Sequence, residues 1–186
     1  MTKLTALALA TGVLAVLAIA SFATADSGKK TVKSDPLSGY LETATPGPVS
    51  SMASGSFTAT IDDDPPAIHY TVTYEGLEGN VTQSHIHFGQ RSVGGGISAW
   101  LCGTAALPGP AGTPSCLQPG PHSASISGTI VPASVVGPTS QGIAPGEFSE
   151  LVSAIRAGRA YANVHSDKFP AGEIRGQIND DNQRDD

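Results

Sequence analysis

The chain has 186 residues, a length that suits one domain able to bury a hydrophobic core. Its formal net charge is −6 at pH 7, which argues against nucleic acid and against an anionic membrane surface as partners. With 22 Gly and 14 Pro residues, the composition favours short strands joined by turns over a helical fold.

Residues 1–25 have the composition of a secretory signal peptide. Lys3 is followed by an uncharged, largely apolar run and then by small residues up to Ala25, after which we predict cleavage. A membrane anchor is the alternative, but the run is about as short as the shortest spanning helices and ends in an A-x-A pattern. We therefore expect a secreted, extracellular or periplasmic protein that is not inserted in a membrane after cleavage.

Three regions are predicted after the signal peptide. Residues 26–52 mix Ser, Gly, Lys, Pro and Thr without periodicity and predict a flexible segment. Residues 53–179 contain β-branched runs between Gly and Pro clusters, a pattern typical of an all-β, antiparallel sandwich. Seven strands are predicted, near 54–60, 67–75, 82–88, 97–101, 123–131, 160–165 and 173–178. Residues 180–186 predict a disordered acidic tail.

One segment of this domain has helical periodicity. Its apolar residues recur at 3.6-residue spacing, begin after Pro145-Gly146 and stop at Gly158. They are Phe148, Leu151, Val152 and Ile155. The pattern predicts a short amphipathic helix that lies across an open end of the sandwich.

The two cysteines, Cys102 and Cys116, flank a segment rich in Gly, Pro, Ala and Thr. In an oxidising compartment we expect one disulfide that closes this surface loop, for which chain entropy predicts a stabilisation of about 3 kcal/mol. Metal ligation by the cysteines is the alternative, but neither C-x-x-C spacing nor a nearby histidine supports it.

The segment Ser84-His85-Ile86-His87-Phe88 carries the densest chemical signal. Alternation along a strand places His85 and His87 on one face, with Cα atoms about 6.5–7 Å apart. Two imidazoles at this spacing can share one metal ion, and neutral imidazole suits copper, zinc, iron or nickel. The alternative is that both histidines only form hydrogen bonds on a solvent-facing strand.

Other histidines could complete such a site. His165 ends the strand 160–165, and His122 follows Gly120-Pro121 at the exit of the cysteine loop; either could supply a third or fourth ligand. His69 alternates with apolar residues in another strand, and we interpret it as a surface or packing residue.

The last two predicted strands carry a polar face. Asn163 shares one side of its strand with His165, and pairing with the next strand would set Glu173 and Arg175 beside them. We expect a hydrogen-bonded polar surface in which Glu173 and Arg175 form an orienting ion pair. No catalytic role is assigned to either residue.

The stretch 163–178, N-V-H-S-D-K-F-P-A-G-E-I-R-G-Q-I, resembles the closing signature of the CHRD (chordin-type) family. Residues 74–89 resemble the central motif of that family, so the resemblance spans about 54–178. It implies an extracellular domain and carries no general biochemical activity.

The CHRD family is in turn similar to the immunoglobulin-like sandwich of copper/zinc superoxide dismutase. That similarity implies that His85 and His87 match two copper ligands, that His165 matches the last one, and that His122 matches the histidine bridging copper and zinc. The pattern departs from the dismutases because no zinc-site histidine lies between positions 122 and 165. The guiding arginine of the dismutases has no secure counterpart, since Arg175 lies in a differently spaced motif. The expected disulfide also differs.

Three hypotheses for function follow. The first is a non-enzymatic extracellular module that binds a protein, a surface polymer or a metal ion, since no G-x-S-x-G or free cysteine suggests a nucleophile. The second is a mononuclear copper protein with superoxide dismutase-like activity at the four histidines. The third is a purely structural domain.

Asn80-Val81-Thr82 also matches a glycosylation acceptor.

Overall fold

The computed structural model describes residues 30–43, 47–117 and 120–180. The predicted signal peptide and all of the expected acidic tail except residue 180 lie outside the described residues. Strands and helices have the following bounds: β1 Lys30–Ser34, β2 Leu37–Ser38, β3 Ser54–Asp63, β4 Pro66–Glu75, β5 Val81–Phe88, β6 Gly96–Gly103, β7 Ala124–Ile130, α1 Phe148–Arg156, β8 Ala160–Ser166 and β9 Ile174–Asp180. Short 3-10 turns cover Gly39–Leu41, Pro132–Ser134 and Thr139–Gln141.

The strands form one antiparallel sheet in the order β6-β5-β8-β9-β1-β3-β4-β7, and β2 pairs with both β3 and β9. The two ends of this sheet face each other across one apolar core, to which strands from both halves contribute. Tyr70 of β4, for example, donates a hydrogen bond of 2.6 Å to the carbonyl of Leu101 on β6. The predicted all-β antiparallel sandwich with one short helix is confirmed.

The N-terminal segment differs from the prediction of a flexible stretch over 26–52. Strand β1 lies between β3 and β9, with Val32 opposite Ala59, and both Val32 and Leu37 are fully buried. These two residues are the apolar positions in a stretch of Lys, Ser, Thr, Asp and Pro, so their alternation is too short to stand out. The sandwich therefore includes residues well before position 53.

The predicted helix is present as α1, whose buried face consists of Phe148, Leu151, Val152, Ala154 and Ile155. This face packs against β8 and β9. Gly158 follows the helix with φ 63°, a left-handed conformation that glycine adopts without strain. Among the described residues, no helix is long and apolar enough to cross a membrane.

The disulfide between Cys102 and Cys116 is formed, and both cysteines are buried. It anchors the loop that follows β6, which is held further by a hydrogen bond from the amide of Gly103 to the carbonyl of Pro114. The loop lies on the ring of Trp100, because a Cβ atom at Gly109 would come within 2.8 Å of that ring. The loop therefore contacts Trp100, whose ring also contacts His85.

Candidate metal centre

Strands β5 and β8 pair side by side and bring three histidines together. His85 lies opposite Asn163 and Gln83 lies opposite His165, so the outward faces of the two strands carry His85, His87 and His165 side by side. Ile86, between the first two, points into the apolar core. The face is not exposed to solvent, since His85 is 0% exposed and the other two histidines at most 7%.

The ring nitrogens of the three histidines are close enough to share one ion. One nitrogen of each ring lies within 4.8 Å of the others. His85 Nδ1 and His165 Nε2 are 3.2 Å apart. With metal–nitrogen distances of about 2.0–2.1 Å, this separation corresponds to an angle of about 100° at the metal, close to tetrahedral.

Hydrogen bonds to carbonyl groups orient two of the rings. His87 Nδ1 lies 2.9 Å from the carbonyl oxygen of Gly95, and His165 Nδ1 lies 3.0 Å from that of Pro170. Because a carbonyl oxygen only accepts, each Nδ1 carries a proton, and Nε2 of neutral His87 keeps its lone pair. His165 Nε2 lies 3.1 Å from Asn163 Oδ1 and 3.2 Å from His85 Nδ1. His87 Nε2 is buried and has no hydrogen-bond partner among the described residues. Such a carbonyl contact on the distal nitrogen is typical of metal-binding histidines.

The histidine cluster is electrically neutral at physiological pH. Burial lowers the pKa of His85 to about 2, with a further decrease from the neighbouring imidazoles, and lowers the pKa of His87 to about 4. Burial also lowers the pKa of His165. Neutral imidazole is the form that binds metal ions, so protons compete weakly for this site.

Aromatic side chains enclose the cluster. The Trp100 ring meets His85 edge-on at 4.3 Å, and the Tyr161 ring stacks on His87 at 4.7 Å. The guanidinium of Arg175 lies 3.4 Å from the centre of the Tyr161 ring and donates hydrogen bonds to Thr43 and to carbonyl groups of the loop after β5. A low-dielectric shell with one buried cation therefore surrounds the three imidazoles.

A comparison with protein-family models shows the family to which this chain belongs. A model of the CHRD domain matches residues 36–178. The chain belongs to the CHRD family. The match confirms the resemblance seen in the two sequence motifs, and it begins within the N-terminal segment, just before β2. No curated protein and no solved structure matches the chain.

His122 does not join the other histidines of this CHRD domain. Its Nδ1 lies 2.9 Å from the carbonyl oxygen of Leu77 and 3.1 Å from that of Gly79. His122 is exposed to solvent. The ring therefore lies against the β4–β5 turn, outside the group of His85, His87 and His165. The fourth ligand expected from the G-P-H element is therefore not among the residues that the structure brings together, because the carbonyl groups of the β4–β5 turn hold the His122 ring.

The expected ion pair between Glu173 and Arg175 is replaced by separate contacts. Glu173 is fully buried, and its carboxylate accepts hydrogen bonds from the hydroxyls of Ser51 and Ser166 at 2.8 and 2.6 Å. It also accepts one of 2.7 Å from the amide of Glu78. Arg175 instead contacts the Tyr161 ring. Glu173 is thus a structural anchor, whereas Arg175 belongs to the surroundings of the histidines.

Glu42 is the buried residue near the site that the sequence did not reveal. It is 3% exposed, and in the part of the chain that the structure describes its Oε1 atom has no hydrogen-bond partner. A Cβ atom at Gly172 would come within 2.6 Å of this oxygen, and the φ of 133° at this position favours glycine. Burial raises the pKa of Glu42 to about 7, against the opposing effect of Arg175 and a hydrogen bond with Asn163. No pattern marks this single carboxyl in a segment of low periodicity.

The raised pKa of Glu42 predicts a pH-dependent stability. The folded state favours the protonated carboxyl of Glu42. The stabilisation that this preference gives is complete below pH 4.5 and is lost as the pH rises through 7. Glu42→Gln should therefore raise the free energy of unfolding by up to about 3 kcal/mol at pH 8 and leave it unchanged at pH 4. Urea unfolding at both pH values checks this. Glu150→Gln, at an exposed position of α1, is the matched control; equal effects of both variants at pH 8 would contradict the prediction.

Proposed function

We propose that this CHRD domain binds one transition-metal ion through His85, His87 and His165. The observation that supports the proposal is that three buried, neutral imidazoles present nitrogen atoms within 4.8 Å of one another, and that His87 keeps the lone pair on Nε2. Three protein ligands leave a fourth position for water or another small molecule. No carboxylate joins this group among the described residues, which disfavours Ca²⁺ and Mg²⁺.

Copper is the ion we propose for the site. Imidazole ligands suit both copper and zinc, and affinities of nitrogen sites for divalent ions reach their maximum at Cu²⁺. The protein's own residues would hold the ion, keep it in a low-dielectric environment and limit the approach of water. The unpartnered His87 Nε2 fits this role, because a bound ion would use the lone pair that is otherwise buried without a contact.

Metal titration of the chelator-treated protein tests the proposal. Trp100 is the only tryptophan and touches His85, so Cu²⁺ should quench its fluorescence with an end point of one ion per chain. His87→Ala and His165→Ala should each weaken Cu²⁺ binding by more than the roughly 10- to 100-fold that is typical when a residue hydrogen-bonded to a metal ligand is lost. His122→Ala and His69→Ala are the matched controls and should bind as the unaltered protein does.

Two results would contradict the metal proposal. The first is the absence of stoichiometric binding of both Cu²⁺ and Zn²⁺. The second is tight binding that survives both His87→Ala and His165→Ala. Preference for Zn²⁺ over Cu²⁺ would keep the site and overturn only the choice of ion.

Superoxide dismutase-like activity of the copper-loaded domain is a second candidate. The position of Arg175 favours it, because this buried cation lies on Tyr161, which stacks on His87, and its charge lowers the pKa of His87. A cation beside a metal site raises the local concentration of small anions. The decay rate of superoxide with the copper-loaded protein tests this candidate, and a rate no faster than with the His87→Ala protein would eliminate it.

The proposed location is outside the cytoplasm, in an extracellular or periplasmic space. The cleavage pattern of residues 1–25 and the buried disulfide support it, since disulfides persist in oxidising compartments. Mass spectrometry of the protein recovered from its native compartment should find a chain that begins after residue 25. Recovery of the uncleaved chain in the cytoplasm would contradict this location.

A further inference from the structure

The outer surface of β3, β4 and β7 carries a regular array of hydroxyl groups, here called the hydroxyl face. Strand pairing arranges its residues in three rows across the sheet: Ser56, Thr73 and Ser125; Thr58, Thr71 and Ser127; Thr60, His69 and Thr129. All of these residues except His69 are Ser or Thr. Neighbouring residues within a row are about 4.8 Å apart across the strands, and the rows follow each other at about 6.7 Å along them.

The hydroxyl face points away from the apolar core. The residues that alternate with it, such as Phe57, Val72 and Ile126, are buried, which directs the intervening hydroxyl side chains outward. None of the nine positions carries Lys, Arg, Asp or Glu, whereas the chain as a whole has a net charge of −6. The nine positions are thus uncharged, and charges of both signs border them: Lys33 pairs with Thr58, Glu75 pairs with Ser54 next to the first row, and Asp62 Oδ2 lies 3.3 Å from His69 Nε2.

The hydroxyl groups are already arranged in hydrogen-bonded pairs. Ser56 and Thr73 are 2.8 Å apart at their oxygens, as are Thr71 and Ser127, and His69 Nδ1 lies 3.0 Å from Thr129 Oγ1. A hydroxyl has one donor and two acceptor sites, so each pair still offers groups to a ligand. The pairs hold the side chains in place before a ligand arrives, which lowers the entropic cost of binding.

Two shallow depressions follow each other on this surface. One, of about 620 Å³, is lined by residues of the second and third rows, including Thr58, Thr71 and Thr129. The other, of about 550 Å³, is lined by the first row, by the neighbouring Ser54 and by Glu75 at its edge. Together they form an extended, open surface, which fits a polymer better than an enclosed small molecule.

We propose that the hydroxyl face binds an uncharged, polyhydroxylated polymer, that is, a neutral polysaccharide. Hydroxyl pairs can exchange their hydrogen bonds to water for bonds to sugar hydroxyls, while threonine methyl groups contact the C–H surfaces of the sugar rings. A protein partner fits less well, because protein interfaces are enriched in aromatic residues, Met and Arg, and the nine positions contain none of these. A charged polymer is disfavoured because the charges that border the face, Lys33, Asp62 and Glu75, are of both signs.

Co-sedimentation with insoluble polysaccharides tests this inference. The intact protein is mixed with crystalline cellulose and with an uncharged β-1,3-glucan, and the fraction left in the supernatant is measured. We expect at least one neutral polymer to deplete the protein, and the anionic carboxymethyl-cellulose resin to leave it in solution. Failure with both neutral polymers, or retention by the anionic resin alone, would overturn the proposal.

Variants on the hydroxyl face locate the binding surface. Thr71→Lys and Ser127→Lys place charges in the central row and should abolish depletion, whereas Thr71→Ser and Ser127→Thr should retain it. Ser149→Lys, on an exposed position of α1, is the matched control and should bind normally. Copper titration of the same variants should be unchanged, which separates this proposal from the metal site. Normal binding by both lysine variants would refute it.

Discussion

Glu173→Ala is expected to lower the free energy of unfolding by about 5 kcal/mol, because four donors would lose their acceptor and each such loss at a buried donor costs about 1–3 kcal/mol. The donors are the buried hydroxyls of Ser51 and Ser166 and the amides of Glu78 and Gly79. They belong to the segment before β3, to β8 and to the β4–β5 turn. One carboxylate thus connects three parts of the chain that are far apart in sequence.

The matched control for this change is Glu75→Ala. Glu75 is exposed and accepts one hydrogen bond of 3.1 Å, from Ser54, so its removal should alter the stability by no more than about 0.5 kcal/mol. Glu173→Gln keeps the shape and one acceptor oxygen and should fall between the two. Urea unfolding followed by Trp100 fluorescence measures all three. A loss below about 1 kcal/mol for Glu173→Ala would show that Glu173 contributes little to the free energy of unfolding.

Acidification should destabilise the metal-free protein strongly. The pKa values of His85 and His87 are lowered to about 2 and about 4, so below pH 6.5 the unfolded chain binds more protons than the folded one. The stabilisation linked to these two histidines is therefore fully present above pH 6.5, and it decreases as the pH falls. Each histidine should cost about 3 kcal/mol at pH 4, a loss comparable with the total stability of many domains.

Glu42 acts in the opposite direction, so the acid effect is best measured in the Glu42→Gln protein. Its free energy of unfolding should decrease steadily between pH 6.5 and 4. Adding His87→Gln should remove about 3 kcal/mol of that decrease at pH 4, because one of the three buried imidazoles no longer gains a proton on unfolding. His69→Gln, at an exposed position, is the control. A stability that stays constant down to pH 4 would contradict the neutral cluster.

Local periodicity determined much of the fold. Strands β3 to β9 and the helix α1 were predicted from alternation, from 3.6-residue spacing and from Gly and Pro at their ends, since these patterns lie within a few consecutive residues. The shared face of His85 and His87 follows from the same geometry, because a strand alternates strictly. The Cys102–Cys116 disulfide needed only two cysteines in one chain and an oxidising compartment.

The tertiary structure decided which distant residues meet. Strand β1 has too few residues to show a pattern, and only its position between β3 and β9 buries Val32. His165 joins His85 and His87, whereas His122 does not, because strand order and register set the neighbours of a side chain and a single sequence contains neither directly. The same reason applies to Glu42, whose burial depends on Gly172 more than a hundred residues away.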